Sequence, residues 1–82
     1  MTISFEIKNE FKKDYKKETE KYINLIEKLK TEREDLLKRH ANAYFGGDSI
    51  TANIYALRIT ANSLLADAYK LGLKALQMEM EV

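Results

Sequence analysis

From Ile50 onward the chain sets apolar residues at alternating intervals of four and three: Ile50, Ile54, Leu57, Ala61, Leu64, Ala68, Leu71, Ala75, Met78 and Val82. That spacing averages 3.5 residues, which keeps one face of an α-helix against a second helix over many turns. The first half carries a matching ladder, Phe11, Tyr15, Thr19, Tyr22, Ile26, Leu29, Arg33, Leu36, His40 and Ala43, in which Thr19, Arg33 and His40 fill polar slots. Between the two lies Gly46-Gly47-Asp48-Ser49. A glycine there can take the positive φ that closes a helix, and Asp48 or Ser49 can cap the free amides of the next one. The pattern predicts an all-α chain: one long antiparallel, coiled-coil-like helical hairpin domain over residues 1–82. Helix 1 spans about 4–45, the turn 46–48 and helix 2 about 49–81. Ser4 is the expected N-cap of helix 1, while the alternation Ile3, Phe5, Ile7 leaves a short extended arm as the competing form.

Folding about Gly46-Gly47 pairs residues whose numbers sum to about 93 or 94, as an antiparallel helical hairpin requires. The expected hairpin seam then takes Phe11, Tyr15, Tyr22, Ile26, Leu29 and Leu36 from helix 1. Helix 2 supplies Ile50, Ile54, Leu57, Ala61, Leu64, Ala68, Leu71, Ala75 and Met78. Leu36 should meet Leu57, Leu29 should meet Leu64, and Tyr22 should meet Leu71. The alanines at every second rung permit close approach, in the manner of antiparallel helices in the ROP-type bundle.

Helix 2 has a second ladder: Tyr55, Ile59, Asn62, Ala66, Tyr69, Leu73, Leu76 and Met80. One partner helix cannot cover both ladders. The second is therefore assigned to a homodimer or partner interface, giving a four-helix bundle, with Asn62 near the two-fold axis where a buried amide fixes register. Ile3, Phe5 and Ile7 overhang the hairpin and join that interface. Gly72 costs roughly 1 kcal/mol relative to Ala inside a helix, so a neighbouring helix or aromatic ring should press close there. Size agrees with self-association, because 82 residues can hide only a modest core.

Composition narrows the function classes. The chain is 45% hydrophobic and 33% charged, without Pro or Cys, as helical and coiled-coil proteins are. Lack of Cys removes disulfides, thiolate metal sites and cysteine nucleophiles. With no apolar run long enough to span a bilayer and no basic-then-apolar start, the expectation is a cytoplasmic protein with no membrane partner. A net charge of +1 supplies no steering field. Most charges precede Gly46, and only Asp48, Arg58, Asp67, Lys70, Lys74, Glu79 and Glu81 follow it. Helix 1 is thus expected to be the solvated helix.

No catalytic set, cofactor site or metal site is read from these residues. His40 lacks a second His, a Cys or a Glu three residues before it, and no core carboxylate pair or phosphate-cradling glycine loop is present. Arg33 occupies a core slot, where its stem can be buried while its guanidinium reaches solvent near Glu32 or Glu34. The one basic concentration, Lys12, Lys13, Lys16 and Lys17 with Lys21, is interleaved with Glu10, Asp14, Glu18 and Glu20. Those spacings suit ion pairs on a solvated face. The reading favoured by the sequence is a non-catalytic adaptor or inhibitor that self-associates and docks another macromolecule, most readily a protein. Helix-1 lysines lying along phosphates resemble the ROP-like nucleic-acid-binding bundles and imply that alternative. Tyr44-Phe45-Gly46 at the bend resembles the Trp-x-Gly turn of the ESAT-6-like exported helical hairpins, without the Trp.

Overall fold

The computed structural model describes the backbone of residues 2–81 and the side chains of residues 14–81. Helix α1 spans Thr2–Phe45 and helix α2 spans Ser49–Glu81. The two pack along each other as a hairpin, in a rod measuring 69 × 15 × 13 Å. A 44-residue helix rising 1.5 Å per residue is about 66 Å long, so α1 sets the length of the molecule. Helical backbone begins at Thr2, ahead of the expected cap at Ser4, and replaces the extended arm considered for Ile3, Phe5 and Ile7. The side chains of Ile3, Phe5, Ile7, Phe11, Lys12, Lys13 and Val82 lie outside the described residues.

The turn uses both ends of its chemistry. Gly47 takes φ 77°. Its N–H donates to the Tyr44 carbonyl at 3.2 Å, and the Asp48 N–H donates to the Ala43 carbonyl at 3.0 Å, which satisfies the last carbonyls of α1 in a Schellman arrangement. Asp48 then caps α2. Its Oδ1 accepts from the Thr51 N–H at 3.1 Å and its Oδ2 from the Thr51 hydroxyl at 2.7 Å. The hydroxyl bond first, and the amide bond second, hold the Asp48 carboxyl below its ordinary range. One residue therefore closes the first helix and opens the second.

The hairpin level follows the fold at Gly46-Gly47. Leu29 sits level with Asn62, Tyr22 with Tyr69 and Gly72, and Tyr15 with Glu79. Among the described seam residues of helix 1, Leu36 is buried, and Tyr15, Tyr22, Ile26 and Leu29 are half-buried.

The face of α2 is the correction. Ile50, Leu57, Leu64, Leu71 and Met78, assigned to the hairpin seam, are between 59% and 74% exposed. Ile54, Ala61, Ala68 and Ala75 are exposed with them. The rungs Leu36 with Leu57, Leu29 with Leu64 and Tyr22 with Leu71 do not form. The face turned to α1 is the one assigned to the dimer: Asn62, Ala66 and Leu76 are buried, and Tyr55, Ile59, Tyr69 and Leu73 are half-buried, with Met80 exposed at the open end. Spacing shows that two apolar faces exist, but the turn decides which of them meets α1. Once Asp48 has capped the helix, Ala52 is the first side chain of α2 to be buried, and it belongs to the second face. Ile50 leaves the turn pointing away, 74% exposed.

Two contacts then suit this face and not the other. Asn62, only 5% exposed, donates from Nδ2 to the Leu29 carbonyl at 3.0 Å; its expected place at a dimer axis gives way to a bond within the chain. Gly72 lies under the Tyr22 ring, which also packs tilted against Tyr69 with centroids 6.1 Å apart. A Cβ at Gly72 would come within 3.0 Å of both the Tyr22 Cζ and hydroxyl oxygen. The close ring expected at Gly72 is there, supplied by α1.

These distances set a test by double-mutant cycle. In a Tyr22→Ala background, Gly72→Ala should stabilise the protein by about 1 kcal/mol through helix propensity alone. With Tyr22 present the same change should be neutral or cost about 1–3 kcal/mol by overpacking. Urea midpoints of the four variants measure the coupling, and additive effects would show that the ring does not press on Gly72.

Candidate docking surface on α2

The exposed ladder is continuous. Leu57, Leu64 and Leu71 recur at one heptad position and Ala61, Ala68 and Ala75 at the next, while Asn62 and Ala66 of the hairpin seam stand two residues to either side of Leu64. Two residues are about 200° on a helix, so the stripe lies about half a turn from the face that meets α1. It runs the whole length of α2. One border is polar: Asn53, Thr60, Asp67, Lys74 and Glu81, all exposed. The other border runs through Arg58 and Leu65 into a groove floored by Leu29 and Leu36 of α1, with Glu32 at its rim. Leu65 is 44% exposed and widens the apolar surface beyond the ladder. The sequence reading missed it, although a leucine directly after Leu64 is a sign that the stripe is wider than one heptad seam.

The end of the rod is aromatic. Phe45 is 85% exposed and Tyr44 is 67% exposed, and their rings meet edge to face at 5.5 Å. His40 stacks on Tyr44 with centroids 6.3 Å apart, half-buried at the edge of the seam. Among the described residues, no group of three His, Cys, Asp or Glu side chains is placed to hold a metal ion. Likewise, no helix is long and apolar enough to cross a membrane among them.

The polar candidates divide. Lys16 and Lys17 are exposed. Lys17 lines a shallow groove on the outer side of α1 with Lys21 and Lys28, where Glu20 is the one carboxylate. Among the described residues, the pair Asp35 with Arg39 closes at 2.9 Å, while Asp14 with Lys17 and Glu18 with Lys21 stay apart. The Tyr55 phenol first, with Asp35 second, raises the Arg39 pKa. Burial, then the Glu79 carboxylate opposite, pushes the Tyr15 phenol up. Arg58 lies over the Tyr55 ring, 5.8 Å from its centroid, at the edge of the seam. Arg33 is half-buried and forms no ion pair with Glu32 or Glu34; it lines a small cavity with Lys30, Lys70 and Asn62.

No protein-family model, curated protein or solved structure matches the chain. The geometry of its own surfaces therefore carries the reading.

Among the described residues, one buried side-chain polar atom is unsatisfied: Asn62 Oδ1 has no hydrogen-bond partner. An orphaned acceptor of this kind costs about 1–3 kcal/mol, against roughly 1 kcal/mol gained by the Nδ2 bond to Leu29. Asn62→Leu should accordingly leave the unfolding free energy from urea titration unchanged or raise it by up to about 2 kcal/mol. A loss of more than about 1 kcal/mol would show that the amide contributes net stability and not only register.

Proposed function

We propose that this chain is a non-catalytic helical adaptor or inhibitor that self-associates and docks a second macromolecule, a protein in this reading. The observation that carries its self-association is the exposed Ile50–Met78 stripe. Its six large side chains leave on the order of 700 Å² per chain open to solvent, more than monomeric proteins ordinarily leave in one apolar patch. The hairpin itself has little in reserve. Among the described residues its buried apolar core is Leu36, Ala52, Ala66 and Leu76, and no large side chain is fully enclosed. Covering the stripe with a second hairpin makes a four-helix assembly of two chains and adds the missing burial. That arrangement transfers the dimer interface from the Tyr55–Met80 face to the Ile50–Met78 face. It leaves the aromatic end, Tyr44 and Phe45, free for the second macromolecule, and aromatic side chains are the usual anchors of protein interfaces.

A nucleic-acid reading has one observation in its favour, the lysine-lined groove of Lys17, Lys21 and Lys28 on α1. Phosphate binding there would release counterions, and affinity would fall steeply with salt.

One set of measurements separates these outcomes. Sedimentation equilibrium should find dimers at micromolar concentration, and Leu64→Glu with Leu71→Glu should give a monomer that keeps its helical circular dichroism. Affinity capture from the native host should retain a protein that is lost when Phe45→Ser is used as bait. A wild type that is monomeric at high micromolar concentration contradicts self-association. Salt-sensitive binding of duplex DNA or hairpin RNA would replace the protein partner by a nucleic acid.

A further inference from the structure

We infer that the Ile50–Met78 stripe is covered by the same stripe of a second copy running antiparallel, so that two α2 helices form the centre of the dimer. The inference rests on the self-association proposed above and adds its orientation. The stripe alternates large and small residues by heptad position, with Leu at one and Ala at the other. In an antiparallel pair each position of one type faces the other type; in a parallel pair each faces its own kind. Full antiparallel overlap sets Leu57 against Ala75, Leu64 against Ala68 and Leu71 against Ala61, each pair occurring twice about the two-fold axis. Every leucine then fills the space an alanine leaves, at one uniform helix separation. Ile54 and Met78 close the two ends of this register. Parallel pairing would stack Leu on Leu and Ala on Ala, alternating overfilled layers with empty ones.

Two further features fit a second α2 as the occupant. The stripe extends over the length of α2, the length that another α2 covers. Its open area, on the order of 700 Å² per chain, approaches the roughly 800 Å² per partner of a standard stable interface. The dimer face also lies nearly opposite the hairpin seam on α2. Neighbouring faces in a square four-helix bundle are about 90° apart, so the assembly is flatter than that bundle, with α1 helices outside and α2 helices within.

Packing and distance test this separately. Ala68→Leu sits on the exposed side of the hairpin, so the fold is retained, and it sets a leucine against Leu64 of the second copy. The dimer should weaken by on the order of tenfold or more, whereas a parallel dimer would be tightened by filling its Ala–Ala layer. The swap Leu64→Ala with Ala68→Leu should restore the wild-type dissociation constant to within a few-fold. Since the chain lacks cysteine, Asn53→Cys takes a single spin label. Its distance to the same label on the second copy should be about 40 Å in the antiparallel register. Tightening by Ala68→Leu, or a label distance below about 30 Å, overturns the antiparallel pairing while leaving self-association in place. A wild type that sediments as a monomer overturns both.

Discussion

Asp48 ends α1 through its backbone N–H and begins α2 through its carboxylate, with Gly47 in the left-handed region beside it. The link is so short, and so fully hydrogen-bonded, that α2 has little freedom to rotate about its axis before meeting α1. Its phase follows, and Ala52, Asn62, Ala66 and Leu76 turn inward. Everything outside the hairpin depends on that phase. Had α2 left the turn about half a turn rotated, Leu57 and Leu64 would fill the hairpin, and Tyr55, Tyr69 and Asn62 would face solvent.

The seam chosen by the turn is the more specific of the two faces, not the more apolar. Asn62 bonds the Leu29 carbonyl, and Gly72 admits the Tyr22 ring beside Tyr69. Each contact is available at one register. Leu and Ala at heptad spacing offer several nearly equivalent registers, so that face would align the two helices of the hairpin less specifically. The polar cost at Asn62 Oδ1 is the counterpart of that specificity within the chain.

Much of this was legible in the residues. The two helices, the turn, the level of the hairpin and the close ring at Gly72 follow from periodicity, capping chemistry and the cost of a mid-helix glycine. The facing of α2 was not. Both of its ladders repeat at 3.5 residues, and hydrophobic spacing carries no information about which one the link points inward. Asn62 and Gly72 held the needed signal, because a buried amide and a bare backbone position are most useful where a neighbour of known position meets them. The flanking Leu65 was hidden for another reason: it belongs to neither ladder and becomes part of an apolar surface only once the neighbouring stripe is known to be exposed. The end of the rod, Tyr44 and Phe45, read as turn chemistry, and its exposure depends on the direction in which α2 departs.

Which face of α2 pairs within the chain decides what the other face is left to bind. Isotope-filtered nuclear Overhauser spectroscopy on a dimer mixed from labelled and unlabelled chains measures this directly. Contacts are expected between the Tyr22 ring protons and the Gly72 Hα protons within one chain, while the Leu57 and Leu64 methyls should reach beyond their own helix only to the other chain. Leu64 methyls that contact Leu29 of their own chain, with the Tyr22 ring remote from Gly72, would contradict that pairing.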